Sequence, residues 1–173
     1  AWFASSLPQP QPSWMSDGEF AHQQWVHAQL DPGLRAVVAR WPYVIHEVWE
    51  GVRVTLLHYA LDDTGQDFTA IVRDPTPADL DRMFAAHHSE LVFYGHHHPA
   101  SDLYGRARYV NPGSLGCFDK PVARFAILQC TAGAYTLRHH AVPYDDTSLF
   151  EEMERRQVPE RDFISKVFFA RNP

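Results

Sequence analysis

Apolar residues fall into two rhythms along the chain. Phe20, Trp25, Ala28 and Leu30 recur at helical spacing after Asp17, which is expected to cap the helix they define. Pro32-Gly33 interrupts this helix, and a second short one, residues 34–41, stops before Pro42. The rhythm then changes. Residues 43–49 and 52–59 read as two strands joined by a turn at Glu50-Gly51, a hairpin. The second strand becomes continuously apolar toward its end, as a strand covered on both faces does, and it finishes at His58. Residues 62–75 are polar and loop-like. Thr76-Pro77-Ala78-Asp79 opens a helix with Leu80, Met83 and Phe84 on its apolar face. A short buried strand, 90–94, leads into the abrupt loop Gly95-His96-His97-His98-Pro99, where Gly95 is expected to let the backbone leave the strand sharply. Strands at 107–110, 123–129 and 134–144 and helices at 145–153 and 162–170 complete the pattern. Helices bracketing many strands predict a layered α/β sandwich in one domain, 1–173, with a loop-like lead-in at 1–17 rich in proline.

Composition narrows the function. A formal charge of −6 argues against a nucleic-acid polymer as partner, because phosphate backbones recruit basic stripes. A negatively charged substrate would then need local positive charge, which bound metal supplies economically. The two cysteines, Cys117 and Cys130, form no CxxC pair and read as free thiols of a reducing, cytoplasmic compartment. No apolar run is long enough for a membrane-spanning helix.

Of the eleven histidines, those around residue 96 carry the chemistry. His96 and His98 stand two apart at the mouth of a strand, and in extended geometry alternate side chains face one way. Imidazole is a common ligand of first-row metals. His58 also ends a buried strand, where α/β folds build sites. His87-His88 and His139-His140 read as structural or surface pairs. Asp62, Asp63 and Asp67 have metal-ligand chemistry but sit in a loop whose acids are expected to be solvated.

The stretch Val92-Phe93-Tyr94-Gly95-His96-His97-His98-Pro99, followed by Tyr109-Val110-Asn111-Pro112-Gly113-Ser114-Leu115-Gly116, resembles the paired signature of the calcineurin-like metallophosphoesterases, in particular their small prokaryotic phosphodiesterase branch. Val54-Thr55-Leu56-Leu57-His58 resembles the preceding ligand-bearing strand, and the likeness runs from about residue 18 onward. It implies a four-layer α-β-β-α sandwich with two divalent metal ions (Mn, Fe or Zn) at the strand ends. His58 and His96 would bind one ion and His98 the other, and His97 would touch substrate. It further implies hydrolysis of small phosphodiesters or nucleotides by a metal-bridging hydroxide. The family's N-terminal motifs, D-x-H, G-D-x-x-D and G-N-H-[DE], are not found in this sequence. The chain is therefore expected to be the C-terminal part of such an enzyme and, by itself, to have little activity. No general acid or base is assigned.

Two other readings remain open. One is an inactive protein-interaction scaffold of the same fold, as in one retromer subunit. The other is an unrelated protein holding one metal on three histidines.

Overall fold

A computed structural model describes residues 7, 9–65 and 67–171; the start of the expected lead-in, residues 1–6 and 8, lies outside them. In chain order the elements are α1 (Asp17–Gln29), α2 (Pro32–Val38), β1 (Val44–Trp49), β2 (Val52–Leu57), α3 (Pro77–Met83), β3 (Leu91–Phe93), β4 (Ser101–Tyr104), β5 (Arg108–Asn111), β6 (Val122–Thr131), β7 (Ala134–Pro143), α4 (Thr147–Arg155) and α5 (Arg161–Phe169). The contacts divide the chain into two compact units, residues 43–144 and residues 1–42 with 145–173.

The first of these units has the mixed α/β architecture read from the sequence. Its five-stranded sheet runs β1-β2-β3-β5-β4, with β2, β3 and β5 parallel and the outer strands antiparallel. The β1–β2 hairpin closes through Glu50 and Gly51, both with positive φ, 51° and 88°. Consecutive left-handed residues give a turn whose twist matches that of the strands. The β6–β7 ribbon turns the same way, through Ala132 at 48° and Gly133 at 79°.

Two apolar layers flank the sheet. On one face Leu80 and Phe84, from α3 and its C-terminus, pack with Tyr59, Val92, Tyr94 and Tyr109. On the other, Val52, Val54, Leu91 and Val110 meet Leu128, Cys130, Tyr135 and Leu137 of the ribbon. A parallel strand must be apolar on both faces for this to work, which is why the end of β2 departs from alternation. Thr55 of that strand is fully buried, and its hydroxyl is matched by Ser89 Oγ at 2.7 Å and His46 Nδ1 at 3.0 Å, so the interior is not left with an orphan polar group. Between β2 and β3, Thr76 and Asp79 form a reciprocal cap that starts α3.

The structure differs from the sequence reading in three places. Ser16, not Asp17, caps α1: its hydroxyl accepts from the Glu19 N–H at 3.1 Å, and Asp17 is the first helical residue. The second helix runs Pro32–Val38 rather than 34–41, because Asp31 caps it by accepting from the Gly33 N–H and Pro32 fits its first position. The strand Ser101–Tyr104 was not expected; it pairs only with β5, and Asp102 on it receives both Arg108 Nε and Nη2, at 2.8 and 2.7 Å, and lies 2.7 Å from His139 Nε2.

In the second unit, Phe150 of α4 meets Phe169 of α5 edge-on at 5.3 Å, and the Arg171 guanidinium lies 4.1 Å from the Phe150 ring centre.

Leu80 has no exposed surface and anchors α3 to the sheet. Leu80→Ala is expected to cost about 2–5 kcal/mol, read as a lower urea midpoint. A change below about 1 kcal/mol would mean that α3 is dispensable to this core.

Candidate metal centre

The parallel pairing of β2 and β3 sets Leu56 beside Phe93. Beyond these strands one more bond, Gly95 N–H to His58 C=O at 2.8 Å, keeps the two chains abreast. The following residue, His96, has φ +65°, and the His97 N–H returns to the Gly95 carbonyl at 2.8 Å. The chain thus reverses in a three-residue turn centred on His96. A left-handed histidine is uncommon and stores backbone strain. The sharp exit expected of Gly95 belongs to His96 instead; Gly95 itself does not have a positive φ, and a Cβ there would meet only ordinary contacts, 3.6 Å to the His58 carbonyl.

The turn lays the His96 ring against His58: His58 Nε2 and His96 Nδ1 are 3.1 Å apart, with the rings edge to face. Phe68 packs on both imidazoles, with ring centres 5.2 and 5.4 Å away, and Tyr59 lies 5.3 Å from His96. Phe68 reaches them because the polar segment folds back on itself, through the Leu61–Phe68 bridge and the bond from Thr69 N–H to Ala60 C=O. Tyr59 is buried, and its hydroxyl accepts from the Val72 N–H at 2.9 Å, so it is a core residue and a wall of the site at once.

His98 also lies against Cys117. Its ring nitrogens lie 3.5 and 3.6 Å from Cys117 Sγ. The argument that alternate residues share a face does not apply at 96 and 98, since β3 ends at Phe93 and the loop beyond is not extended. His97 is half-buried, and its carbonyl accepts from Asn111 Nδ2. Asn111 is buried and its Oδ1 accepts from the Gly113 N–H at 3.0 Å, so one side chain ties the histidine loop to the turn that follows β5. Gly113 has φ +92°, and a Cβ there would stand 3.0 Å from Arg124 side-chain atoms, which fixes glycine at that point. Two acids of the polar loop, Asp62 and Asp67, bond within it. Asp62 Oδ1 accepts from the Thr64 N–H and hydroxyl, and Asp67 Oδ1 accepts from the Phe68 N–H.

Burial, then the neighbouring His96 and then His98, hold the His58 imidazole below the ordinary histidine range. Burial and His97 lower His96; burial, His96 and His97 lower His98. Neutral imidazoles are the form that binds metal. A pair of nitrogens 3.1 Å apart also fits one first-row ion with bonds of about 2.0–2.1 Å to each. The residues therefore suit a divalent ion as a two-nitrogen half-site. Among the described residues no third histidine, cysteine or acid completes a group of three. Two members of the site were missed in the sequence. Phe68 lies in a segment without periodicity, and Cys117 was read only as a free thiol, although it directly follows the signature segment that ends at Gly116.

The calcineurin-like phosphoesterase superfamily domain matches residues 37–133 of the chain. A hypothetical protein from Pyrococcus horikoshii superposes with a TM-score of 0.74 at 14% identity, over 99% of this chain and 70% of that one. A metallophosphoesterase from Sphaerobacter thermophilus does so with a TM-score of 0.65 at 17% identity, over 91% and 69%. At these identities the likeness is one of fold. No curated protein matches the chain.

The lowered histidine pKa values fix the sign of an acid effect in the metal-free chain. An unfolded histidine takes up its proton near pH 6.5, whereas folded His58 does so only at lower pH. Between the two the unfolded chain binds more protons, so stability falls as pH drops from about 6.5 through the depressed folded value. Urea midpoints measured across that range are expected to decline toward acid, and less steeply in His58→Gln. An identical slope in the variant would show that His58 titrates as it does in the unfolded chain.

Proposed function

The chain belongs to the calcineurin-like phosphoesterase superfamily, and on that premise we propose that it serves a divalent-metal phosphoesterase acting on small phosphodiesters or nucleotides. The observation that carries this reading is the 3.1 Å approach of His58 and His96 where two parallel strands end. When bound, a divalent ion of this kind supplies Lewis-acid polarisation of the phosphoryl oxygens and an activated water. The chain's own residues prepare for it. His58 and His96 present neutral nitrogens, Phe68 packs against both rings, and Tyr59 packs against His96. Asn111 holds the loop in place through the His97 carbonyl. Under this reading His98 serves a second ion, and the His97 side chain meets the phosphate ester.

The net charge of −6 supports a small substrate over a nucleic-acid polymer, and the free thiols Cys117 and Cys130 support a cytoplasmic setting. No described helix is long and apolar enough to cross a membrane.

The scaffold reading has one observation in its favour: no described acid or third ligand joins the histidine pair. Equilibrium dialysis of the chain against Mn²⁺, Fe²⁺ and Zn²⁺ separates the two. The phosphoesterase reading expects bound metal, with His58→Ala and His96→Ala each weakening it by about 10-fold or more. Hydrolysis of a chromogenic phosphodiester by the chain alone is expected to be weak, to depend on added metal and to vanish in His96→Ala. A chain that binds no metal and hydrolyses nothing would overturn this reading in favour of the scaffold.

A further inference from the structure

We propose that Tyr43 and Phe68 form an aromatic corner beside the histidine pair, and that this corner receives the planar base of a nucleotide substrate. This rests on the metal-dependent reading above and adds to it the part of the substrate that is gripped. The β1–β2 ladder pairs Val44 with Leu57, so one step further along Tyr43 stands level with His58. Residues opposite one another in an antiparallel pair share a face of the sheet. Phe68 touches both of them: its ring centre is 6.4 Å from that of Tyr43 and 5.2 Å from that of His58. It also packs on His96, at 5.4 Å. Phe68 is thus the middle member of a row that starts at the metal-binding nitrogens and ends at Tyr43.

The Tyr43 and Phe68 rings meet at 82°, and Tyr43 is 43% exposed while Phe68 is half-buried. A perpendicular pair leaves a right-angled corner. A third flat ring can stack on one wall and turn its edge to the other, and both arrangements are favoured between aromatic rings. A single exposed tyrosine at the start of a strand is ordinary. What sets Tyr43 apart is its contact with the residue that covers both metal-binding imidazoles. The length of the row selects the ligand. The corner stands off from His58 and His96 by the width of the Phe68 ring. An ester whose aromatic ring is bonded straight to the phosphate oxygen is too short to fill the corner with its phosphate at the histidines, whereas a sugar between phosphate and base spans the gap. A second phosphate is disfavoured there, because Asp67, next to Phe68 in the chain, is exposed and carries like charge. Stacking uses the face of the base rather than its edge, so the corner tolerates any nucleobase.

Binding rather than turnover tests the corner. With Mn²⁺ present, adenosine monophosphate is expected to bind the chain about 10-fold or more tighter than ribose phosphate, which carries the same sugar and phosphate without the base. That ratio is expected to fall to about 2-fold or less in Tyr43→Ala and to persist in Tyr43→Phe, which keeps the ring. On the unaltered chain, saturation-transfer NMR is expected to mark the base protons of the nucleotide more strongly than its ribose protons, a readout that needs no variant to fold. Equal affinities for the two phosphates, a ratio that survives Tyr43→Ala or is lost in Tyr43→Phe, saturation that favours the ribose, or Mn²⁺ bound while neither phosphate binds would each overturn the corner and leave the histidine centre standing. A chain that binds neither Mn²⁺ nor either phosphate would instead bring down the metal-dependent reading beneath it.

Discussion

Most of what is functional in this chain hangs on the registry between β2 and β3. The two strands run parallel, with Val54 beside Leu91 and Leu56 beside Phe93, and the Gly95 N–H extends the ladder to the His58 carbonyl. That last bond sets two residues 37 positions apart in sequence at the same height. A slip by one residue would send His58 to the opposite face, because side chains alternate along a strand. The registry is secured from both faces, by Leu80 and Phe84 on one and by the β6–β7 ribbon on the other. The parallel pair cannot be joined by a tight turn, and the α3 connection is what makes the pairing possible. The cap at Thr76 and the packing of Leu80 thus act on the histidines from a distance.

How far this was readable in the sequence depended on the range of the interaction involved. The Glu50-Gly51 hairpin was legible because a two-residue turn announces itself locally, and the doubly buried end of β2 was legible in its apolar run. The edge strand at Ser101–Tyr104 was not: its four residues carry no alternation, and they are extended only because β5 lies beside them and Asp102 meets Arg108. Phe68 was invisible for a similar reason, since its place over the histidines follows from a loop closing at Leu61.

The histidine loop shows the limit most clearly. Spacing alone put His96 and His98 on one face, and the resemblance to a known signature put them on separate ions. The backbone explains why spacing does not carry over to this loop. Period-two reasoning holds only inside a strand, and here the strand ends at Phe93, three positions before His96. What replaces it is a reversal at His96 that no hydrophobic pattern encodes, held by Asn111 from another segment.

That reversal also shapes what sequence drift can do at the site. A residue in the left-handed region is accommodated readily when it is glycine, asparagine or aspartate, and poorly when it is valine, isoleucine or threonine. Replacements at position 96 are therefore filtered by the backbone before any metal is involved. Aspartate and asparagine also carry metal-donor atoms, so the changes that the turn tolerates best include ones that exchange a nitrogen donor for an oxygen one. Among relatives with this turn, ligand swapping at position 96 would be an easier path than loss of the turn, and a shift in preferred metal would be its natural trace.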